Sequence, residues 1–218
     1  MSANVRERWL RMYVHQKLRS DPIFAVASTL LVDSAEPVLD VGCGVGLLGF
    51  YLRERGYLPS VIGVDRDGRK IARAREIAAS GSYDKVEFRD ENICATAPTF
   101  SGNVALFDVL HYLPRPQQRR LLLELAKCVA PGGVLLIRDA PRDARPRFWL
   151  TFLAEIFAQT IAWNVGARLH FPARDELRAP FPASEFTSES RPLWGNTPFN
   201  NHLFIFRRCS SGAAQAAG

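Results

Sequence analysis

A doubly wound, mostly parallel α/β sheet with an antiparallel final strand is the fold class that this chain predicts. Three observations carry the prediction. Short strand-like runs alternate with helical stretches of about 10–15 residues between positions 37 and 138, the pattern of βαβ units. One of those strands runs straight into a glycine-rich loop and then a helix, at VLDVGCGVGLLGF. Near the end of the chain, EFTSES and FNNHLFIFRR lie close enough in sequence to pair antiparallel.

The elements follow in order. Residues 1–36 read as two helices that form an N-terminal helical cover. In the first, Val5, Trp9, Met12, Tyr13 and Leu18 fall near helical spacing. Pro22 suits the first turn of the second, IFAVASTLLVD. PVLDVG is a strand, and GLLGFYLRERG a helix stopped by Gly56. VIGVD is a strand, and GRKIARAREIAASG a helix stopped by Gly81. KVEFRD and NVALFD are strands, a helix runs from Arg115 to Val129, and the PGG turn leads into the strand VLLIRD. Residues 139–198 are less regular and read as an insertion on the substrate side. They hold the aromatic-rich helix RFWLTFLAEIFAQTIAWNVG and several prolines. Residues 37–208 are expected to form one domain, with 209–218 a small, polar, frayed tail.

Composition excludes several classes. Hydrophobic residues make up 47% of the 218, enough to offset chain entropy, so wholesale disorder is ruled out. The best membrane-spanning candidate, Phe148 to Val165, is broken by Glu155, Gln159 and Asn164. MSANVRERWLRMYVHQ lacks the apolar core of a secretory signal. The four cysteines, Cys43, Cys94, Cys128 and Cys209, form no CxxC pair. No zinc site is expected, and a reducing cytoplasm fits. The net charge is +6, carried by 24 arginines and only four lysines. Arginine suits bidentate grip on carboxylate or phosphate. The run Arg138, Arg142, Arg145 and Arg147 reads either as an exposed loop or as a docking site for an acidic partner. No aromatic-interleaved RNA-binding stretch accompanies it, so nucleic acid is not the expected partner.

The glycine loop is the strongest local signal. Glycine allows a tight turn and a close backbone approach to a ligand. Gly44, Gly46 and Gly49 satisfy G-x-G-x-x-G, which taken alone points equally to a dinucleotide site. Two acids pull away from that reading. Asp40 precedes the loop, where a pyrophosphate would meet like charge. Asp65 ends the next strand, 19 residues after Gly46, where a carboxylate can accept from both ribose hydroxyls. An adenosyl ligand with a cationic, amino-acid-like arm satisfies both.

VLDVGCGVG, VIGVD, EFRDENI, VALFDVLHYLP and VAPGGVLLIRDA, taken in register from Val38 to Ala140, resemble the class I S-adenosylmethionine-dependent methyltransferase family. The resemblance implies a Rossmann-like methyltransferase fold and S-adenosylmethionine as the methyl donor, leaving S-adenosylhomocysteine. It implies that Asp40, with the loop backbone at Gly42, Cys43, Gly44 and Gly46, holds the methionine arm. Asp65 would bind the ribose hydroxyls and Arg66 would lie against the adenine. Asp90 would accept from the adenine amine, with Asn92 nearby. Phe107 and Asp108 would border the methyl-donor end. Asn103 departs from the acid often found at the start of the fourth strand.

Methyl transfer from a sulfonium needs alignment and exclusion of water, and a general base only if the acceptor must lose a proton. His111 and Tyr112, after the fourth strand, are the candidate base and acceptor-orienting group at the mouth of the site. His111 also has a plain packing reading. His170 and His15 are further candidates, and His202 reads as structural. FDVLHYLP is not the Asn/Asp-Pro-Pro-aromatic motif that grips an exocyclic base amine, and RDAPRD lacks the acid-amide pair of the magnesium-dependent type, so no metal is expected. RPLWGNTPFNNHLFIFRR is similar to the ends of small methyltransferases of polyketide-like or aryl-polyene pathways. That similarity implies a phenolic or acyl-chain acceptor on an acidic carrier protein, while the aromatic helix from Phe148 to Trp163 offers a roof for a small apolar or aromatic acceptor, O- or C-methylated. The alternatives are methylation of RNA or protein, a non-catalytic adenosyl-ligand-binding protein and a nicotinamide oxidoreductase. A monomer or homodimer is expected.

Overall fold

The computed structural model describes residues 17–96, 98–143, 146–160, 169–195 and 198–210, with the backbone alone for 154–160. The expected first helix lies outside the described residues except for a helical turn at 17–20. The elements are α1 (Ile23–Leu31), β1 (Val38–Val41), α2 (Leu47–Glu54), β2 (Val61–Asp65), α3 (Gly68–Ser80), β3 (Val86–Asp90), β4 (Asn103–Phe107), a 3-10 turn (Leu110–Tyr112), α4 (Arg115–Cys128), β5 (Val134–Asp139), α5 (Pro146–Thr160), α6 (Arg174–Arg178), β6 (Phe186–Pro192) and β7 (His202–Arg208). The 3-10 turn and the short α6 carry no sequence signal of the kind used above.

The seven strands form one sheet in the order β3-β2-β1-β4-β5-β7-β6. The first five pair parallel, and β7 pairs antiparallel with both β5 and β6. Strand composition explains the order. His202 to Phe206 are buried without a break, which only an interior strand allows. β6 is exposed at most positions and ends in Pro192, as an edge strand tolerates.

Alternation along the strands divides the core into two layers. Val104, Leu106, Leu135, Ile137, Phe204 and Phe206 face α4 and α6. Val38, Ala105, Val134, Leu136, Leu203 and Ile205 face α1 and α2. Each fully buried Phe or Leu contributes about 1.5–3 kcal/mol. Asn103 shows why an amide suits the start of β4: its Nδ2 donates to Ser34 Oγ at 2.8 Å and to the Glu36 carbonyl at 3.3 Å, while its Oδ1 accepts from the Val134 amide at 3.0 Å. A carboxylate there could not donate.

Candidate active site

The carboxyl ends of β1, β2 and β4 open onto a cleft of ≈ 750 Å³. Among the expected residues, Gly42, Asp65, Arg66, Asn92, Asp108 and Tyr112 line it. The glycine loop is built by left-handed backbone. Gly42 has φ +72°, and a Cβ on it would meet Val109 Cγ2 at 2.3 Å. Gly46 has φ +83°, and its Cβ would meet Phe88 Cζ at 2.3 Å. Gly42 and Cys43 donate their amides to the Val64 carbonyl, at 2.8 and 3.1 Å. Asp65 then fixes the loop from the neighbouring strand. Its Oδ2 accepts from the Gly44 amide at 2.9 Å and its Oδ1 from the Asp67 amide at 2.9 Å. Each carboxylate oxygen keeps a lone pair for a ligand hydroxyl.

Asp40 lies behind that loop, 4% exposed, in a strand buried along its whole length. Its carboxylate has no hydrogen-bond partner among the described residues. Burial, reinforced by the negative charge of Asp65, pushes its pKa up to about 7. The Cys43 thiol is raised for the same reasons and is no nucleophile. Asp90, at the end of β3, is exposed and stands beside Gly68, where a Cβ would touch its Oδ2 at 2.4 Å. Phe107 does not reach the cleft lining. It packs with the α1 and α2 layer, and Asp108 is the member of that pair on the cleft wall.

Asp108 has a left-handed backbone, φ +58°, uncommon for a residue with a Cβ. Its side chain is held by Arg138 of β5. Arg138 Nε donates to Asp108 Oδ1 at 2.9 Å, and Nη2 donates to Oδ2. Arg138 Nη1 reaches both oxygens of Asp21, at 2.5 Å. Burial raises the pKa of Asp108, but the guanidinium of Arg138, with a smaller contribution from Lys17, outweighs it and holds the carboxyl below its usual value. No signal in the sequence isolated this triad. In sequence Arg138 reads as part of a basic run, either an exposed loop or a docking site; the structure buries its side chain instead, 3% exposed. Of its neighbours, Arg147 lies over the Trp194 ring at 4.4 Å, Arg142 is exposed, and Arg145 is outside the described residues.

His111 is placed differently from the expectation. It does not stand at the mouth of the cleft; it is buried, 3% exposed, behind Tyr112, with the two rings 4.1 Å apart. Its Nδ1 lies 2.9 Å from Asp139 Oδ1, and its amide donates to Asp139 Oδ2 at 3.3 Å. With Asp139 Oδ1 as acceptor the proton sits on Nδ1, which leaves Nε2 as the nitrogen with the lone pair. Asp139, last in the strand VLLIRD, is fully buried and belongs to the pair, and nothing local in the sequence marks it for that role. Phe171 stacks on the His111 ring at 5.1 Å and meets Phe148 edge-on at 5.2 Å; Phe152 adjoins both. His170 donates its amide to the His111 carbonyl at 2.7 Å, and Gln118 Nε2 donates to the His170 carbonyl at 2.6 Å. His202 is buried between the Asn200 carbonyl and Arg174. His15 lies outside the described residues. Among the described residues no group of three or more His, Cys, Asp or Glu side chains could hold a metal, and no helix is long and apolar enough to cross a membrane.

A family model described as a methyltransferase domain matches residues 38–133. Among curated proteins, the chain is 27% identical over 113 residues to a ubiquinone biosynthesis O-methyltransferase of Idiomarina loihiensis, covering 52% of this chain and 45% of that one. It is 32% identical over 119 residues to the erythromycin 3''-O-methyltransferase of Saccharopolyspora erythraea, covering 52% and 38%. The match thus spans less than half the length of these relatives. Among solved structures, the magnesium protoporphyrin IX methyltransferase of Synechocystis, with bound S-adenosylhomocysteine, superposes with a TM-score of 0.67 at 21% identity, covering 94% of each chain.

Proposed function

Residues 38–133 match a methyltransferase-domain model, and from that premise we propose that the protein is a class I S-adenosylmethionine-dependent methyltransferase that transfers a methyl group to a small apolar or aromatic acceptor. The observation that carries this reading is Asp40. A carboxylate 4% exposed, without a hydrogen-bond partner among the described residues and beside a second carboxylate, is costly unless a ligand brings positive charge. The donor's ammonium and sulfonium meet that need, and a pyrophosphate would worsen it. The residues present therefore fit the adenosyl donor.

On this reading Asp40 and the Gly42–Gly46 loop hold the amino-acid arm. Asp65 accepts from the ribose hydroxyls, and Arg66, Asp90 and Asn92 serve the adenine. When bound, the donor supplies an already activated methyl group, so the protein's work is alignment and exclusion of water. Tyr112 orients a hydroxyl acceptor from the cleft wall, and His111, held by Asp139 behind Tyr112, is the candidate base for its proton. The aromatic group of Phe148, Phe152 and Phe171 gives the acceptor side its apolar character. Residues 37–208 form the methyltransferase domain, with 139–198 its acceptor-side insertion.

Calorimetric titration with S-adenosylhomocysteine, with NAD as control, tests the donor. Binding of the first alone is the expected result; binding of NAD, or of neither, overturns it. For the acceptor, phenols are the first class to assay. His111→Asn is expected to keep donor affinity and lose about 100-fold or more in turnover. Unchanged turnover removes His111 from the mechanism.

A further inference from the structure

The triad of Asp21, Arg138 and Asp108 joins two places that the proposed reaction does not otherwise connect. Asp108 is on the wall of the donor cleft, its side chain 32% exposed. Asp21 is 117 residues away from Arg138 in sequence and begins α1, where its Oδ1 also accepts from the Ile23 amide at 3.1 Å. Between them Arg138 spends all three guanidinium nitrogens: Nε and Nη2 on Asp108, Nη1 on Asp21. A forked group held at both ends transmits position. Where the Asp108 carboxylate stands depends on Arg138, and where Arg138 stands depends on Asp21.

We propose that Arg138 is a positioning residue for donor binding, which ties the cleft-wall carboxylate of Asp108 to Asp21 so that docking of α1 and occupancy of the cleft are energetically coupled. The inference rests on the donor reading given above. Three features support a coupling over a plain structural staple. The left-handed backbone at Asp108 places its carboxylate between ligand space and the guanidinium, not wholly inside the protein. Two acids share the one buried guanidinium of Arg138, so their balance responds to charge brought into the cleft. Lys17 lies one helical turn before Asp21, whose amide donates to the Lys17 carbonyl at 2.9 Å, and its positive charge also acts on Asp108. Coupling is reciprocal: if α1 docking aids the donor, the donor must aid α1 docking by the same factor.

The test uses the full chain and S-adenosylhomocysteine. Asp21→Asn removes the charge but keeps a side-chain oxygen able to accept from the Ile23 amide, so α1 is retained. Its expected effects are an affinity for S-adenosylhomocysteine about tenfold weaker and a loss of ligand-induced protection from trypsin after Lys17 and Arg19. Asp21→Glu is expected to restore part of both. Asn103→Ala, a buried change at the opposite end of the strands, serves as control. It should lower the melting temperature and leave affinity within twofold. Wild-type affinity and protection in Asp21→Asn overturn the coupling while leaving the donor reading intact. An equal affinity loss in Asn103→Ala also overturns it, because general destabilisation then accounts for both. Absence of binding by the wild type overturns the donor reading and the coupling with it.

Discussion

Two regions of the same cleft handle negative charge in opposite ways. At the ends of β1 and β2, Asp40 stands beside Asp65 without a hydrogen-bond partner among the described residues, and burial with that neighbouring charge pushes its pKa up to about 7. At the ends of β4 and β5, Asp108 is gripped by a buried arginine and held below its usual value. Both regions are built from acids on neighbouring strands. Where the protein supplies the counter-charge, the acid is part of the architecture. Where it withholds it, the ligand must bring it. A charge without a partner is thus the more informative of the two about what binds.

Replacing the arginine attacks the architectural side and has the largest expected effect. Arg138→Ala leaves Asp108 and Asp21 without their shared partner, and unfolding in urea should show a loss of about 3–5 kcal/mol, the range for breaking a buried ion pair from one side. A loss below about 1 kcal/mol would mean that the two acids relax to solvent and that the contrast between the regions is shallow. On the ligand side, Asp65→Ala should cost about 1.5–3 kcal/mol in affinity for S-adenosylhomocysteine by calorimetry, the scale of charge-assisted hydrogen bonds. Unchanged affinity in a folded variant would remove Asp65 from ribose recognition.

The smallest effect sharpens the comparison most, because its sign differs between the regions. The folded-state pKa of Asp40, about 7, lies above the ordinary carboxylate value of 3.8. Its contribution to stability is therefore fully present below about pH 4 and is lost as pH rises through 7. Asp108 is depressed, so its contribution is present above its ordinary pKa and lost as pH falls below it. Asp40→Asn should flatten the pH dependence of unfolding between about pH 4 and 7 without lowering stability at pH 7. In the wild type, affinity for the cationic ligand should rise through pH 7, and in the variant that rise should vanish. A rise that persists in Asp40→Asn would assign it to another group.

Much of the parallel half of this sheet was legible, because each strand and helix there carries its own signal. The strand VLDV, the glycines of the loop and the stop at Gly81 are local statements, and the structure places β1, α2 and α3 accordingly. The cleft-lining places of Asp65, Arg66 and Asn92 follow from the same local logic. What escaped was long-range. Arg138 reads as one of four arginines in a basic stretch, and only the pairing of β5 between β4 and β7 turns it inward beside Asp108. Asp139 reads as the end of a strand, and only the return of the chain after β4 brings His111 to it. His111 reads as standing at the cleft mouth because it follows the fourth strand; the 3-10 turn points it and Tyr112 to different depths.

The position of β7 between β5 and β6 has a consequence for how the protein is made. Until residues 202–208 arrive, β5 presents its free edge along Val134–Asp139, an apolar strand with unpaired amides and carbonyls. Roughly 60 residues separate Asp139 from His202, so at ordinary elongation rates of about 5–20 residues per second the edge stays open for several seconds. Nascent chains halted in that interval would be expected to associate through β5, and a chaperone acting co-translationally would find its substrate there.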